Sequence, residues 1–213
     1  MSPIRWGRAA LLAPLLLSGC SVMQGFWSGE PQRVSGLLER TTDGFVLREC
    51  GSERVMALTE SQMLDGIYQL ASQPGQIAIF TDLIGEIDRH GRLHPEQVLR
   101  MQSHGRGCSD DSADSAQWVA LGYQPAWQAW LSPAGLVRSD GNLTYPARSV
   151  VIEQLPVGAL NAATPSDHQV ELWLYPQACQ DPVTGDYFHL RATLTVNGEQ
   201  QRGCGYQGAI IAP

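Results

Sequence analysis

Alternating apolar and polar residues from Arg33 onward predict three consecutive β-strands. Their expected bounds are 33–40, 44–50 and 53–58, and short turns rich in Gly, Asp and Ser separate them. The spacing then becomes helical, because apolar residues recur every three to four positions between Met63 and Ala71. A capping-box pattern begins at Thr59, so we expect the helix to open there and to end before Pro74.

Two further strands are expected over 76–87 and 97–103, the first of them bent or bulged near Gly85. An order of three strands, one helix and two strands in about seventy residues is that of an OB-like barrel. We therefore assign residues 33–104 to an OB-like domain. The small, polar and acidic segment 105–117 follows, and we expect it to be a linker to a second domain.

Residues 118–213 contain many short strand-like segments divided by Gly, Pro, Asn and Asp. Strands are expected at 127–131, 136–139, 149–155, 169–175, 187–196 and 200–205. Asn197-Gly198, between two alternating segments, is a strong hairpin signal. The predicted fold class is therefore mainly β: an OB-like barrel with one helix, followed by a small antiparallel β-barrel or sandwich.

Residues 1–19 are typical of an export signal. Arg5 and Arg8 precede a short apolar run that ends in Leu-Ser-Gly before Cys20. This ending resembles the lipobox of bacterial lipoproteins, which implies cleavage before Cys20, lipidation of that cysteine and, with Ser21 after it, sorting to the outer membrane. We expect acyl chains to hold the protein on the periplasmic face, with residues 20–32 as a tether.

The charge balance argues against nucleic acid as a ligand. All 14 basic residues are arginines and 21 residues are acidic, which gives a net charge of −7. Nucleic acids and anionic lipid surfaces both require a basic protein face. The expected partners are the membrane, reached through the lipid anchor, and an envelope protein or glycan, and no cofactor is expected.

Four cysteines remain once Cys20 is assigned to lipidation: Cys50, Cys108, Cys179 and Cys204. An even number in an oxidising compartment favours disulfides, and four cysteines allow three pairings. Chain order and the domain division favour the pairs Cys50 with Cys108 and Cys179 with Cys204. A metal site built from all four is the alternative, although the chain has no Cys-x-x-Cys spacing.

Several features of residues 33–104 carry a family resemblance. Gly36-Leu37-Leu38, the segment 45–51 ending in Cys-Gly, Tyr68 in the helix and the long strand to Gly85 resemble the carboxyl-terminal OB domain of NlpE-type envelope-sensor lipoproteins. The resemblance covers about a third of the chain. It implies an OB fold and an envelope function.

The second domain carries another resemblance, in segments 122–127, 179–181, 184–187 and 201–205. These are similar to an uncharacterised family of bacterial envelope proteins with a Glu-Pro-Phe-Trp motif and a Cys-x-Asp, Gly-x-x-Tyr and Gly-Cys ending. Gln124 and Ala126 stand where that family has Glu and Phe. The resemblance implies no particular activity.

A cluster of histidines is a candidate metal site. His90, His94 and His104 lie close together in sequence, with Met101 nearby, and imidazole and thioether groups are ligands for copper and zinc. Pro95 argues against a helix that would align His90 with His94. Histidines scattered on a surface loop are the alternative interpretation.

Aromatic residues are dense in the second domain, and four of them are candidate ligand-binding residues: Trp127, Trp130, Trp173 and Tyr187. Ordinary core packing is the alternative interpretation of the same residues. Trp127 and Trp130 are three positions apart and should face opposite sides of one strand. At least one of the two is therefore expected to pack inward.

The chain lacks the common hydrolase, metalloprotease and nucleotide-binding motifs. Asp181 and Asp186 with His189 would be the catalytic candidates of a weak hydrolase, but Asp-Pro and Thr-Gly-Asp are typical turn sequences. We therefore expect a non-enzymatic, lipid-anchored binding or envelope-homeostasis lipoprotein. The alternatives are a periplasmic inhibitor of a lysozyme-like hydrolase and a copper-responsive lipoprotein.

Overall fold

The computed structural model describes residues 29–112, 114–165 and 169–209. The export signal, Cys20 and most of the predicted tether lie outside these residues. The described chain is mainly β, with one α-helix and two antiparallel sheets, one of them curled into a half-barrel, which confirms the predicted fold class. Within the described ranges, no helix is long and apolar enough to cross a membrane.

The first sheet is built mainly from the amino-terminal half of the chain. Its elements are β1 (Gln32–Thr41), β2 (Gly44–Glu49), β3 (Val55–Ala57), helix α1 (Gln62–Ala71), β4 (Ala78–Ile87) and β5 (Leu93–Gln102). Strand β1 pairs with β2 on one side and β4 on the other, and β4 pairs with β5. A parallel bridge between Leu58 and Leu93 links the end of β3 to the start of β5, as in an OB-like barrel.

Helix α1 begins later than the capping-box pattern indicated. Ser61 is the N-cap, and its hydroxyl accepts a hydrogen bond from the amide of Leu64. Thr59 instead donates its amide to the carbonyl of Leu93, 3.0 Å away, so it remains part of the barrel closure. The prediction that Thr59 opens the helix is therefore wrong by two residues. Leu64, Ile67, Tyr68 and Ala71 pack in the barrel core as expected, whereas Met63 is exposed.

The bulge predicted near Gly85 is confirmed. The register of β4 against β5 shifts between Asp82 and Leu83 and again between Ile84 and Gly85. A Cβ atom on Gly85 would lie 2.2 Å from the carbonyl oxygen of His94, so only glycine permits this close approach.

The second sheet is built from the carboxyl-terminal half. After a short 3₁₀ turn (Gly107–Ser109), the elements are β6 (Trp118–Tyr123), β7 (Ala126–Ser132), β8 (Gly135–Asp140), β9 (Leu143–Arg148), β10 (Val151–Gln154), β11 (Leu160–Ala163), β12 (Val170–Tyr175), β13 (Cys179–Gln180), β14 (Tyr187–Phe188), β15 (Leu190–Val196) and β16 (Glu199–Gln207). Nine of these strands form the sheet, in the order β10-β11-β12-β15-β16-β6-β7-β8-β9. Asn197 and Gly198 both have positive φ in the tight turn between β15 and β16, which confirms the predicted hairpin.

The strand expected at 187–196 is two strands that belong to different sheets. Strand β14 pairs with β13 and with β5 of the first sheet, whereas β15 lies in the second sheet. The break falls at His189, whose amide and Nδ1 both approach the carbonyl oxygen of Leu99 at 2.9 Å. The hairpin β13–β14 therefore carries the chain of the second half into the first sheet.

Both favoured disulfides are present, which confirms the predicted pairing. Cys50 is bonded to Cys108, and Cys179 to Cys204. The first bond attaches the end of β2 to segment 105–117, which also contributes the fully buried Ala116. The proposed boundary between two domains stays a prediction, although this segment is packed and the β13–β14 hairpin crosses from one sheet to the other.

Candidate functional site

A groove with chemically varied walls opens beside the Cys179–Cys204 disulfide. Its volume is about 400 Å³. Four elements position its walls: the β6–β7 turn, the β13–β14 hairpin, β15 and β16. The lining residues are Tyr123, Gln124, Cys179, Gln180, Asp181, Pro182, Val183, Arg191, Arg202, Gly203 and Cys204.

Two exposed arginines lie side by side in this groove. The register places Arg191 opposite Cys204 and Arg202 opposite Thr193, so both guanidinium groups leave the same face of the sheet as diagonal neighbours. Neither forms an ion pair or side-chain hydrogen bond with any residue in the described part of the chain. The groove therefore carries two positive charges with no internal partner.

An aromatic pair borders the arginines on the next strand. Tyr175 is paired with Arg191, and Trp173 with Thr193, so both rings lie on the arginine face of the sheet. Their ring centroids are 5.7 Å apart and the planes are nearly parallel, at 7°. Tyr175 is 37% exposed and Trp173 is half-buried, which leaves part of each ring open to a ligand.

The acidic residue in the groove is occupied by its own turn. Asp181 is buried, and its Oδ1 accepts hydrogen bonds from the amides of Val183 at 2.8 Å and Thr184 at 3.0 Å. This is the Asx-turn geometry typical of Asp-Pro sequences. Asp181 thus shapes the rim of the groove rather than pairing with either arginine.

A second buried carboxylate lies beneath the groove. Asp186 is fully buried, and its Oδ1 accepts the amides of Ser103 at 2.8 Å and His104 at 3.4 Å. Its Oδ2 has no hydrogen-bond partner among the described residues. Burial raises the pKa of Asp186, and burial together with the nearby carboxylates of Asp186 and Asp181 raises the pKa of Tyr123.

The three candidate residues of a weak hydrolase do not assemble into one site. Asp181 and Asp186 share the β13–β14 turn, but the Nδ1 of His189 is held at the carbonyl of Leu99. Burial lowers the pKa of His189, and its electrostatic neighbours are Asp82 and Arg33 rather than the turn carboxylates.

Of the four aromatic candidates, Trp173 is the one that flanks the groove. Trp127 is buried in the core of the second sheet, where its indole crosses Gly122 and Gly203. Trp130 packs on the opposite face against the cluster between the sheets, so the expected divergence of these two rings is observed. Tyr187 is half-buried against the core of the first sheet. A ligand-binding function for these residues stays a prediction.

The candidate metal residues are divided between the two ends of β5. The Nε2 of His94 lies 3.2 Å from Asp88, in the β4–β5 turn that also contains His90. His104 follows the far end of the strand, with its Nδ1 3.8 Å from Asp186. Among the described residues, no group of three or more His, Cys, Asp or Glu side chains is arranged to hold a metal ion.

Comparison of the chain with protein-family models, curated proteins and solved structures finds no match.

Sequence reasoning missed a buried ionic cluster that joins the two sheets. Asp82 is fully buried and accepts hydrogen bonds from Arg33 at 2.9 Å and 2.5 Å. Arg100, only 3% exposed, lies 3.4 Å from Asp82 and donates to Asp110 at 2.5 Å. Arg33 also donates to the carbonyls of Gln207 and Gly208 at the end of β16. Two arginines and two aspartates therefore balance in charge.

Two aromatic rings enclose the guanidinium of Arg100 in this cluster. Its Cζ lies 4.7 Å from the ring centroid of Phe80 and 4.1 Å from that of Tyr206. Burial alone would raise the pKa of Asp110, but hydrogen bonds from Ser112 and Arg100 lower it. The signal in the sequence was a charged residue beside apolar neighbours in each of β4 and β5, Asp82 before Leu83-Ile84 and Arg100 between Leu99 and Met101.

Proposed function

We propose that this chain is a non-enzymatic lipoprotein of the bacterial outer membrane, anchored through lipid on Cys20, that binds an envelope ligand in the groove beside the Cys179–Cys204 disulfide. The observation that carries the proposal is the pair of unpartnered arginines, Arg191 and Arg202, beside the Trp173–Tyr175 pair. Arg, Trp and Tyr are the residues most enriched where proteins bind their partners.

The charge of the chain makes the two arginines informative. The chain has 14 basic and 21 acidic residues, and Arg40 and Arg106 pair with carboxylates on the surface. Arg54 and Arg89 are exposed without an ion pair to a described residue, but they lie in separate turns, whereas Arg191 and Arg202 share one groove. Two unpaired guanidinium groups in one groove are a local positive charge on an acidic protein, which favours an anionic ligand.

The groove is also supported by rigid structure. The Cys179–Cys204 bond ties the short hairpin β13–β14 to β16, and β15 and β16 are interior strands of the sheet. Binding groups held on paired strands lose little conformational entropy when a ligand arrives. This arrangement suits binding better than catalysis, since the groove contains no residue placed as nucleophile beside a base.

Metabolic labelling with a palmitate analogue tests the anchor. We expect the wild-type protein to incorporate the label and to fractionate with the outer membrane. Cys20→Ala should lose both properties, because the acylated thiol is removed. Labelling of the Cys20→Ala protein, or unchanged membrane fractionation without label, contradicts the anchoring proposal.

Capture from detergent-solubilised envelope tests the groove. We expect the full chain to retain an envelope component that Arg191→Glu/Arg202→Glu no longer retains. The matched control is Arg54→Glu/Arg89→Glu, which reverses two exposed arginines, in the β2–β3 and β4–β5 turns, that form no ion pair with a described residue. Equal capture by both double variants contradicts the groove, and a retained glycan hydrolase that the protein inhibits points to the inhibitor function.

A further inference from the structure

The size of the groove limits what can occupy it. A volume of about 400 Å³ falls in the range of small-molecule sites, roughly 300–1,000 Å³. A stable protein partner would instead cover about 800 Å² of each surface. The occupant is therefore one or two small rings or a short segment of a larger molecule.

The two arginines define the charge of that occupant. Two arginines on diagonal positions of adjacent strands lie about 7–8 Å apart, with their Cβ atoms somewhat closer. Each guanidinium group can donate two parallel hydrogen bonds to a carboxylate or phosphate. Asp181 lines the same groove, but its Oδ1 already accepts the amides of its own turn. An anion can therefore approach Arg191 and Arg202 without displacing an internal ion pair.

The other residues of the groove, and the Trp173–Tyr175 pair beside it, favour a sugar over a peptide. Extended peptides bind by adding a strand to an open sheet edge. Here the sheet face under the groove is made of β12, β15, β16 and β6, which all have paired neighbours on both sides. Strand β13, which also lines the groove, is at the edge of the first sheet but is only two residues long, Cys179–Gln180. Trp173 and Tyr175 offer apolar ring surface for the C–H face of a pyranose, while Gln124 offers its amide for the hydroxyl groups. The Nε2 of Gln180 already donates to the carbonyls of Leu70 and Gly185, which leaves its Oε1 as an acceptor for a ligand.

We propose that the ligand of this groove is an acidic saccharide, with its anionic group held between Arg191 and Arg202 and its ring packed beside Trp173 and Tyr175. This inference rests on the groove being the binding site of the proposed function. It adds the chemical class of the ligand.

Isothermal titration of the full chain, purified in detergent, tests the class with matched sugars. N-acetylglucosaminyl-N-acetylmuramic acid carries a lactyl carboxylate that N,N′-diacetylchitobiose lacks, and N-acetylglucosamine 6-phosphate differs from N-acetylglucosamine by its phosphate. We expect at least one charged sugar to bind ten-fold or more tightly than its neutral counterpart. Arg191→Gln/Arg202→Gln should abolish that difference, and Arg54→Gln/Arg89→Gln should preserve it, with thermal unfolding confirming that both variants are folded.

Three results overturn the inference. Equal affinity for the charged and neutral members of both pairs would show that the arginines do not select for an anionic group. If none of the four sugars binds, a saccharide ligand is excluded. Hexaglutamate binding as tightly as the best sugar would show that the groove takes an acidic peptide. If the arginine variants still lose the captured envelope component in these cases, the binding function stands and only the ligand class fails.

Discussion

Replacing Asp82 by asparagine tests how much the buried ionic cluster stabilises the contact between the two sheets. In the wild type, Arg33 and Arg100 are balanced by Asp82 and Asp110, with Asp82 fully buried and Arg100 only 3% exposed. The substitution keeps the shape of the side chain and one acceptor oxygen. It removes one of the two negative charges, which leaves the buried Arg100 and the 25% exposed side chain of Arg33 with a single carboxylate, that of Asp110.

The size of the effect follows from the burial of the cluster. Breaking a buried ion pair by removing one partner costs about 3–5 kcal/mol, because the remaining charge is left uncompensated. The introduced amide would keep one hydrogen bond from Arg33, so we expect a loss near the lower end of that range, about 3 kcal/mol. Domains of this kind have about 5–15 kcal/mol of stability in total. The variant should therefore fold, with a clearly reduced denaturation midpoint.

Urea denaturation at neutral pH measures this loss, and Asp65→Asn is the matched control. Asp65 pairs with Arg40 on the surface, where the two side chains are 40% and 46% exposed, so removing this pair should cost less than about 1 kcal/mol. Added salt should weaken the surface pair and leave the buried one nearly unchanged. If Asp82→Asn costs no more than Asp65→Asn, the reasoning from buried charge balance is refuted.

Four further substitutions have definite expected outcomes in the same denaturation assay. Gly203→Ala should destabilise by roughly 1–3 kcal/mol, since its Cβ would lie 2.1 Å from a backbone carbonyl and 2.7 Å from Trp127; wild-type stability would contradict the crowding. Gly66→Ala should stabilise the protein by about 0.5–1 kcal/mol, because this helical position faces open space. A loss of stability would contradict the absence of a neighbour within 4 Å of the added methyl group. Cys50→Ala/Cys108→Ala should cost about 4 kcal/mol from the loop of 58 residues that it opens; an unchanged midpoint would contradict this. The folded-state pKa of Asp186 is raised, so its contribution to stability falls as the pH rises above the ordinary carboxyl pKa of about 3.9 and through the raised value. Asp186→Asn should therefore gain stability relative to the wild type over that pH window. A difference in stability that does not change with pH would contradict the raised pKa.

Local patterns predicted most of the fold, because strand alternation, helical spacing and the Asn-Gly turn are short-range signals. The order of the first five strands and the helix follows from them. The division of 187–196 could not be predicted, since the stretch alternates without interruption. It breaks at His189 only because the carbonyl of Leu99, 90 residues earlier, is there to be bonded.

The site was harder to predict than the fold. Trp173 was selected by residue type, but the same reasoning selected Trp127, which fills a slot formed by glycines on two neighbouring strands. Arg191 and Arg202 were not selected, because an arginine at an outward position of a strand is normally just solvated. Their significance depends on strand register and on Asp181, in the same groove, being hydrogen-bonded within its own turn, and neither is visible in the linear sequence.

The placement of β14 sets an order on folding. The outer edge of β5 is covered by Tyr187 and Phe188, which follow Met101, the partner of Tyr187, by some 85 residues in the chain. Until that segment has emerged and paired, the OB-like barrel presents an open strand edge that includes Leu99 and Met101, both buried in the finished protein. The chain therefore has to be nearly complete before its first sheet is, and a chaperone or an intermolecular strand has that interval in which to bind the edge.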